Sequence, residues 1–309
     1  MMIHNFPTAF TSADEAYHYT VSRVLNLGQD RGDRTGTGTR AVFGHNVEID
    51  LSGGTLPVVS LKKTRYQDAI AELIWMLSGS NSLVPLIEQG IHIWTDWPLK
   101  AYNLETGENI GRDEFEARVL ADPEFAEKWG TIAPCYGTEM RSFESSGGAV
   151  IDQFQQLVDE IKSNGESRRL IWSLWRPEFV TVKGGTGLPP CHFGGAVNVT
   201  NGELSIKLRL RSSDVGLGWP YNVAQYGYLL HLLAALTDNK PGMLVVDIDD
   251  CHIYQNHIDG MTEVLERECR TDPKFIWKRK PTSLDDLSLD DFEVVGYEPQ
   301  GFIKLPVAV

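Results

Sequence analysis

The stretch Cys191-His192-Phe193-Gly194-Gly195-Ala196-Val197-Asn198-Val199-Thr200-Asn201-Gly202-Glu203-Leu204-Ser205-Ile206-Lys207-Leu208-Arg209-Leu210 decides the fold. An Asn-Gly pair between two apolar runs is the strongest short-range hairpin signal, because both central turn residues must take positive φ. Strands are therefore predicted over 192–199 and 204–210. Toward the C-terminus, Tyr221–Leu236 is apolar on nearly every face and predicts a buried central helix. Leu244–Ile248 reads as a further strand and Tyr254–Arg267 as a helix. Toward the N-terminus, Ser12-Ala13-Asp14-Glu15 reads as a capping box opening a helix to about Leu27, and Ala41–Leu51 as a half-buried strand. Gln67–Gly79 is an apolar helix, Val150–Asn164 an amphipathic one, and Leu170–Trp175 an aromatic strand. Hairpins interleaved with helices point to an α+β fold, a large mixed β-sheet flanked by helices.

No composition break marks a linker, so residues 1–309 are expected to form a single domain. The acidic stretch at about 103–130 reads as a variable surface insertion. A formal charge of −14 argues against a stable nucleic-acid partner, since phosphate affinity rests on Lys and Arg. Any anionic substrate must be held by a local arginine cluster. Cys135, Cys191, Cys251 and Cys269 form no CxxC pair, which favours reduced thiols over a disulfide framework. No signal segment and no apolar run of about 20 residues is present, so a cytoplasmic protein without membrane contact is expected.

Pro189-Pro190-Cys191-His192, Arg211-Ser212-Ser213-Asp214 and Gly218-Trp219-Pro220-Tyr221-Asn222 supply a thiol nucleophile, a cation to hold its thiolate and an amide able to read a polar base edge. Taken alone, Cys191 reads as core packing more readily than as a nucleophile. Asp33-Arg34-Thr35-Gly36-Thr37-Gly38-Thr39 is either a plain turn or, through Arg34, an anion-binding loop. Glu72 lies among Ile70, Leu73, Ile74, Trp75 and Met76, where burial would raise its pKa and suit it to moving protons. Arg168-Arg169 is either a solvated start of a strand or part of a site. Cys251, His252 and His257 fit no common zinc spacing, so no metal is expected.

These motifs, with Ile93-Trp94, Trp97, Ser167-Arg168-Arg169, His252-Ile253-Tyr254 and the tail Lys304-Leu305-Pro306-Val307-Ala308-Val309, resemble the thymidylate synthase family and its pyrimidine nucleotide hydroxymethylase relatives from about Tyr17 to Val309. The resemblance implies the family fold, with one sheet face forming a homodimer interface. It implies an enzyme that transfers one carbon from methylenetetrahydrofolate to C5 of dUMP through a covalent adduct between the thiolate and C6. By resemblance Cys191 is the nucleophile. Arg34, Arg211 and Ser212 bind phosphate, and Arg168 and Arg169 reach in from the partner subunit. Asn222 reads uracil, and His252 and Tyr254 hold the sugar hydroxyl. Glu72 handles protons, His192 holds a water near O4, and Tyr136 assists removal of the C5 proton. Asp214 binds the pterin. Trp94, Trp97, Leu188, Leu217, Gly218, Tyr221 and Val309 border or close over the folate, with Lys62 near its glutamate tail.

Several positions depart from the synthase pattern. Tyr136-Gly137-Thr138-Glu139-Met140-Arg141 lacks the usual Gln-Trp before its arginine, and Phe193-Gly194-Gly195-Ala196-Val197 replaces an aromatic strand. Leu210 stands where a glutamine is usual. Trp175-Arg176-Pro177 replaces Trp-Asn and is similar to a phage deoxycytidylate hydroxymethylase. Smaller side chains leave room for a water that Glu139 would orient, so the expected product is 5-hydroxymethyl-dUMP. The alternative is a synthase making dTMP and dihydrofolate by hydride transfer, favoured by Trp94, Leu188 and the tail. A catalytically silent nucleotide-binding homologue is the third reading.

Overall fold

A computed structural model describes residues 9–33, 35–132, 136–177 and 189–307. In chain order the elements are α1 (Ala13–Leu27), β1 (Gln29–Arg31), β2 (Thr39–Asp50), α2 (Tyr66–Leu77), α3 (Val84–Glu88), α4 (Asp96–Thr106), α5 (Arg112–Ala121), α6 (Pro123–Trp129) and α7 (Tyr136–Arg141). There follow β3 (Phe143–Glu144), β4 (Val150–Ile151), α8 (Gln153–Asn164), β5 (Ile171–Ser173), β6 (His192–Thr200), β7 (Glu203–Asp214), α9 (Gly218–Leu236), β8 (Lys240–Tyr254), α10 (Ile258–Glu266), β9 (Lys274–Trp277) and β10 (Phe292–Val295). The chain forms two compact units. One comprises Met1–Ile70, Leu157–Ile171 and Cys191–Val309; the other comprises Ala71–Gln156 and Trp172–Pro190.

The first unit is built on a mixed sheet with strand order β1-β2-β8-β7-β6-β5. Asn201 and Gly202 take φ of 52° and 75°, the conformation the Asn-Gly pair was chosen for, and join β6 to β7 in antiparallel register. β7 and β8 run parallel, which requires a crossover connection; α9 supplies it and packs on both strands. Leu204, Ile206, Leu208 and Leu210 of β7, with Leu244, Val246 and Ile248 of β8, have no exposed surface. Burying each such side chain stabilises the fold by about 1.5–3 kcal/mol relative to leaving it in water. Trp219 stacks on Tyr17 at 5.2 Å, and the Tyr17 hydroxyl donates to the Val215 carbonyl at 2.9 Å. Gly227 lets α9 approach Pro57, since a Cβ there would meet the proline ring at 2.4 Å.

The expected strands and helices are present with shifted bounds. Ser12 caps α1 by accepting from the Glu15 N–H, but Glu15 turns its carboxylate to Thr11 and leaves the capping box half made. β8 runs from Lys240 to Tyr254, far beyond the apolar core 244–248, because β2 on one side and β7 on the other satisfy its backbone past Asp249 and Asp250. Tyr254 therefore ends a strand, and the helix begins only at Ile258. Val150 and Ile151 pair with β3, so α8 starts at Gln153, where the Asp152 carboxylate accepts the Gln155 N–H at 2.9 Å.

In the second unit the acidic stretch folds into α5, α6 and the end of α4, with an aromatic cluster of its own. Tyr102 meets Phe115, Phe125 and Trp129 at centroid distances of 5.9, 5.2 and 5.1 Å. Gly137 on α7 is obligatory, because a Cβ there would lie 2.6 Å from the Ser80 carbonyl oxygen. Among the described residues, no helix is long and apolar enough to cross a membrane.

Candidate active site

Cys191 sits just before β6, half-buried, at a place where the β6–β7 ladder is interrupted. His192 pairs with Leu210 and Gly194 with Arg209, so Phe193 is an extra residue in the strand, a bulge of the kind that re-aims neighbouring side chains. The Arg211 N–H donates to the Cys191 carbonyl at 3.0 Å, and Arg211 Nη2 lies 3.8 Å from Cys191 Sγ. A guanidinium so close to the sulfur favours the thiolate.

His192 is buried, and burial pushes its imidazole down to about 4, so the ring is neutral near pH 7. Asn222 Nδ2 lies 2.7 Å from its Nε2 and the Tyr226 hydroxyl 3.4 Å from its Nδ1. Asn222 and Tyr226 are four residues apart on α9 and so share a face. Sequence reasoning missed Tyr226, although its i+4 spacing from Asn222 was the available signal.

The parallel register sets Ser212 opposite Asp250 and Asp214 opposite His252. His252 stands edge-on to Tyr254 at 5.2 Å, and Arg31 pairs with Asp250. The Gly216 N–H donates to Asp214 Oδ1 at 2.8 Å, and His257 Nδ1 lies 3.8 Å from the same oxygen. Lys62 is buried, which pushes its ammonium down to about 8 against the opposing pull of Asp214. Leu217, Gly218 and Tyr221 form the start of α9. His257 Nε2 is 2.7 Å from the Pro306 carbonyl oxygen, tying the tail to this cluster. Arg168 and Arg169 are exposed on the turn before β5. Arg34, Leu188, Val309 and the approach segment 182–187 lie outside the described residues.

The second unit carries Glu72, Trp94, Trp97 and Tyr136. Glu72 is 6 % exposed, as its apolar neighbours suggested, and Trp94 Nε1 donates to its Oε1 at 2.6 Å. Trp94 meets Trp97 at 5.4 Å and Tyr136 edge-on at 5.9 Å. Among the described residues, no group of His, Cys, Asp and Glu has the arrangement of a metal site.

Two unusual residues turn out to be partners. Arg176 Nε donates to Glu139 Oε2 at 2.7 Å, with the two side chains 22 % and 8 % exposed, and the guanidinium lies 4.2 Å over the Phe143 ring. Glu139 and Arg176, at the two positions where the synthase pattern has amides, thus form one charged pair. The pair engages Glu139 Oε2 with Arg176.

A family profile described as thymidylate synthase matches residues 15–309. A thymidylate synthase of Zymomonas mobilis is 43% identical over 298 residues, covering 96% of this chain and 100% of its own. Those of Rhizorhabdus wittichii and Rhizobium rhizogenes are 40% and 41% identical, covering 96% and 94% of this chain and 98% and 96% of their own. These relatives carry the synthase name rather than a hydroxymethylase one, so the similarity favours the hydride-transfer alternative over the expected water capture. On motifs, fold and full-length similarity together, the chain belongs to the thymidylate synthase family of one-carbon transferases.

Proposed function

We propose that this protein methylates C5 of dUMP, taking the carbon from methylenetetrahydrofolate and releasing dTMP and dihydrofolate. The observation that carries the reading is Arg211 Nη2 of β7 at 3.8 Å from Sγ of Cys191, the residue preceding β6, in a chain of this family. C5 of uracil is too weak a nucleophile unaided. Addition of the Cys191 thiolate to C6 moves electron density onto C5 and O4, and loss of the thiolate at the end restores the ring.

Arg211 serves twice, holding the thiolate and pairing with phosphate alongside Ser212 and Arg34. Asn222 reads the base edge, because an amide both donates to O4 and accepts from the N3 proton. His192, neutral through burial, is available as a hydrogen-bond partner rather than a charge. His252 and Tyr254 hold the sugar hydroxyl. Glu72, buried and bonded by Trp94, moves protons at the O4 carbonyl of the base, and Tyr136 assists loss of the C5 proton.

The residues fit a reduced pterin with a polyanionic tail. Asp214 presents a carboxylate to pterin N–H donors, Leu217 and Gly218 follow it at the start of α9, and Lys62 supplies a cation. Methylenetetrahydrofolate, when bound, supplies both the carbon and the hydride that reduces it. Trp94, Trp97, Tyr221, Leu188 and Val309 keep water from the reacting carbon.

The protein is a cytoplasmic homodimer acting as a single catalytic domain, with Arg168 and Arg169 reaching the partner's phosphate site. The dimer rests on the family resemblance; Phe43 on β2 and Ile171 on β5, 89% and 64% exposed, are apolar side chains that an interface would cover. The test is mass spectrometry of the nucleotide formed from dUMP, with dihydrofolate absorbance followed in parallel. A methylated product matched by dihydrofolate is expected and should vanish in Cys191→Ala. A hydroxymethylated product without dihydrofolate overturns the proposal.

A further inference from the structure

Glu116 on α5 is 7 % exposed, whereas Asp113 and Glu114 on the same helix are exposed. A carboxylate is costly to bury unless its oxygens are bonded. Glu116 Oε1 accepts from Thr95 Oγ1 at 2.5 Å and lies 2.8 Å from His92 Nδ1. Thr95 is itself 1 % exposed. These contacts grip the chain on both sides of Ile93-Trp94, and Trp94 is the residue whose indole N–H reaches Glu72 at 2.6 Å. A rigid indole directs its N–H only as well as its backbone is held.

We propose that Glu116 is a positioning residue: by clamping His92 and Thr95 it fixes the turn that carries Trp94 and so aims the indole N–H at the Glu72 carboxylate. The acidic stretch is then more than a surface excursion, because it holds part of the site from behind. The proposal rests on reading Glu72 as the proton-handling group. The competing view is that Glu116 merely staples α5 in place.

Steady-state kinetics with dUMP and methylenetetrahydrofolate separate the two on Glu116→Ala, Glu116→Gln and Thr95→Val. Glu116→Ala should lower kcat by about ten- to a hundredfold, the scale of a small misplacement of a catalytic group, while leaving dUMP affinity within about twofold. Glu116→Gln should recover part of the loss, because its amide oxygen still accepts from Thr95. A fall in Tm with kcat unchanged overturns the proposal. If Glu116→Ala does not fold, Thr95→Val decides, and unchanged kcat in that variant overturns it. The Trp94 indole N–H resonance, assigned by Trp94→Phe, reads the clamp without turnover. An unmoved resonance in Thr95→Val refutes the clamp; a moved one in an enzyme inactive on dUMP refutes only the functional reading.

Discussion

Replacing Glu139 and Arg176 singly and together with the amides of the synthase pattern tests whether these departures are one exchange. Arg176→Asn leaves the Glu139 carboxylate, 8 % exposed, without its guanidinium. Breaking a pair of this burial costs about 3 kcal/mol, because the remaining charge stays desolvated. Glu139→Gln should cost less, about 1–2 kcal/mol, since Arg176 is 22 % exposed and keeps the Phe143 ring at 4.2 Å. The double variant Glu139→Gln with Arg176→Asn restores an uncharged pair and should lose only about 1 kcal/mol, leaving a coupling of roughly 3 kcal/mol. Urea unfolding of the three variants and the parent gives the cycle, and mass spectrometry of their product gives the chemistry. Additive losses within about 0.5 kcal/mol, or a change of product in Glu139→Gln, refute the reasoning.

Asn222→Asp should move base preference from dUMP toward dCMP, measured as the ratio of kcat/KM for the two nucleotides; an unchanged ratio counts against the edge-reading role. His45, His192 and His231 are each pushed down to about 4 by burial, against about 6.5 unfolded. The unfolded chain takes these protons first, so stability is full above pH 6.5, falls as pH drops toward 4, and gains no further loss from these groups below it. The loss at pH 5 is about 2 kcal/mol per imidazole. Asp272, held above the usual carboxylate range mainly by burial, and His257, raised by its bonds to Asp214 and Pro306 despite burial, act in the opposite sense. Urea midpoints at pH 7.5 and pH 5 check this, and a midpoint as high at pH 5 refutes it.

The hairpin was legible because Asn201-Gly202 is a local instruction, and α9 because its apolar residues leave no solvent face. β8 was underestimated for the opposite reason. Asp247, Asp249 and Asp250 interrupt the apolar run, and only the partner strands on both sides make the long strand favourable. At the site, Cys191, Arg211 and Asn222 stood in recognisable motifs. The Glu139–Arg176 pair and the Glu116 clamp did not, because each joins residues 37 or about 20 apart whose meeting depends on tertiary packing.

The central position of β8 also has a consequence for how the chain is made. β2 pairs with it from Thr39 opposite Tyr254 to Asp50 opposite Met243, so a strand formed early has its principal partner near the end of the chain. At about 5–20 residues per second, the nascent polypeptide carries Val42, Val47 and Ile49 for roughly 10–40 s before β8 leaves the ribosome. During that interval the strand has an unsatisfied edge, and biogenesis rather than the finished fold is where this protein is most exposed to misassembly.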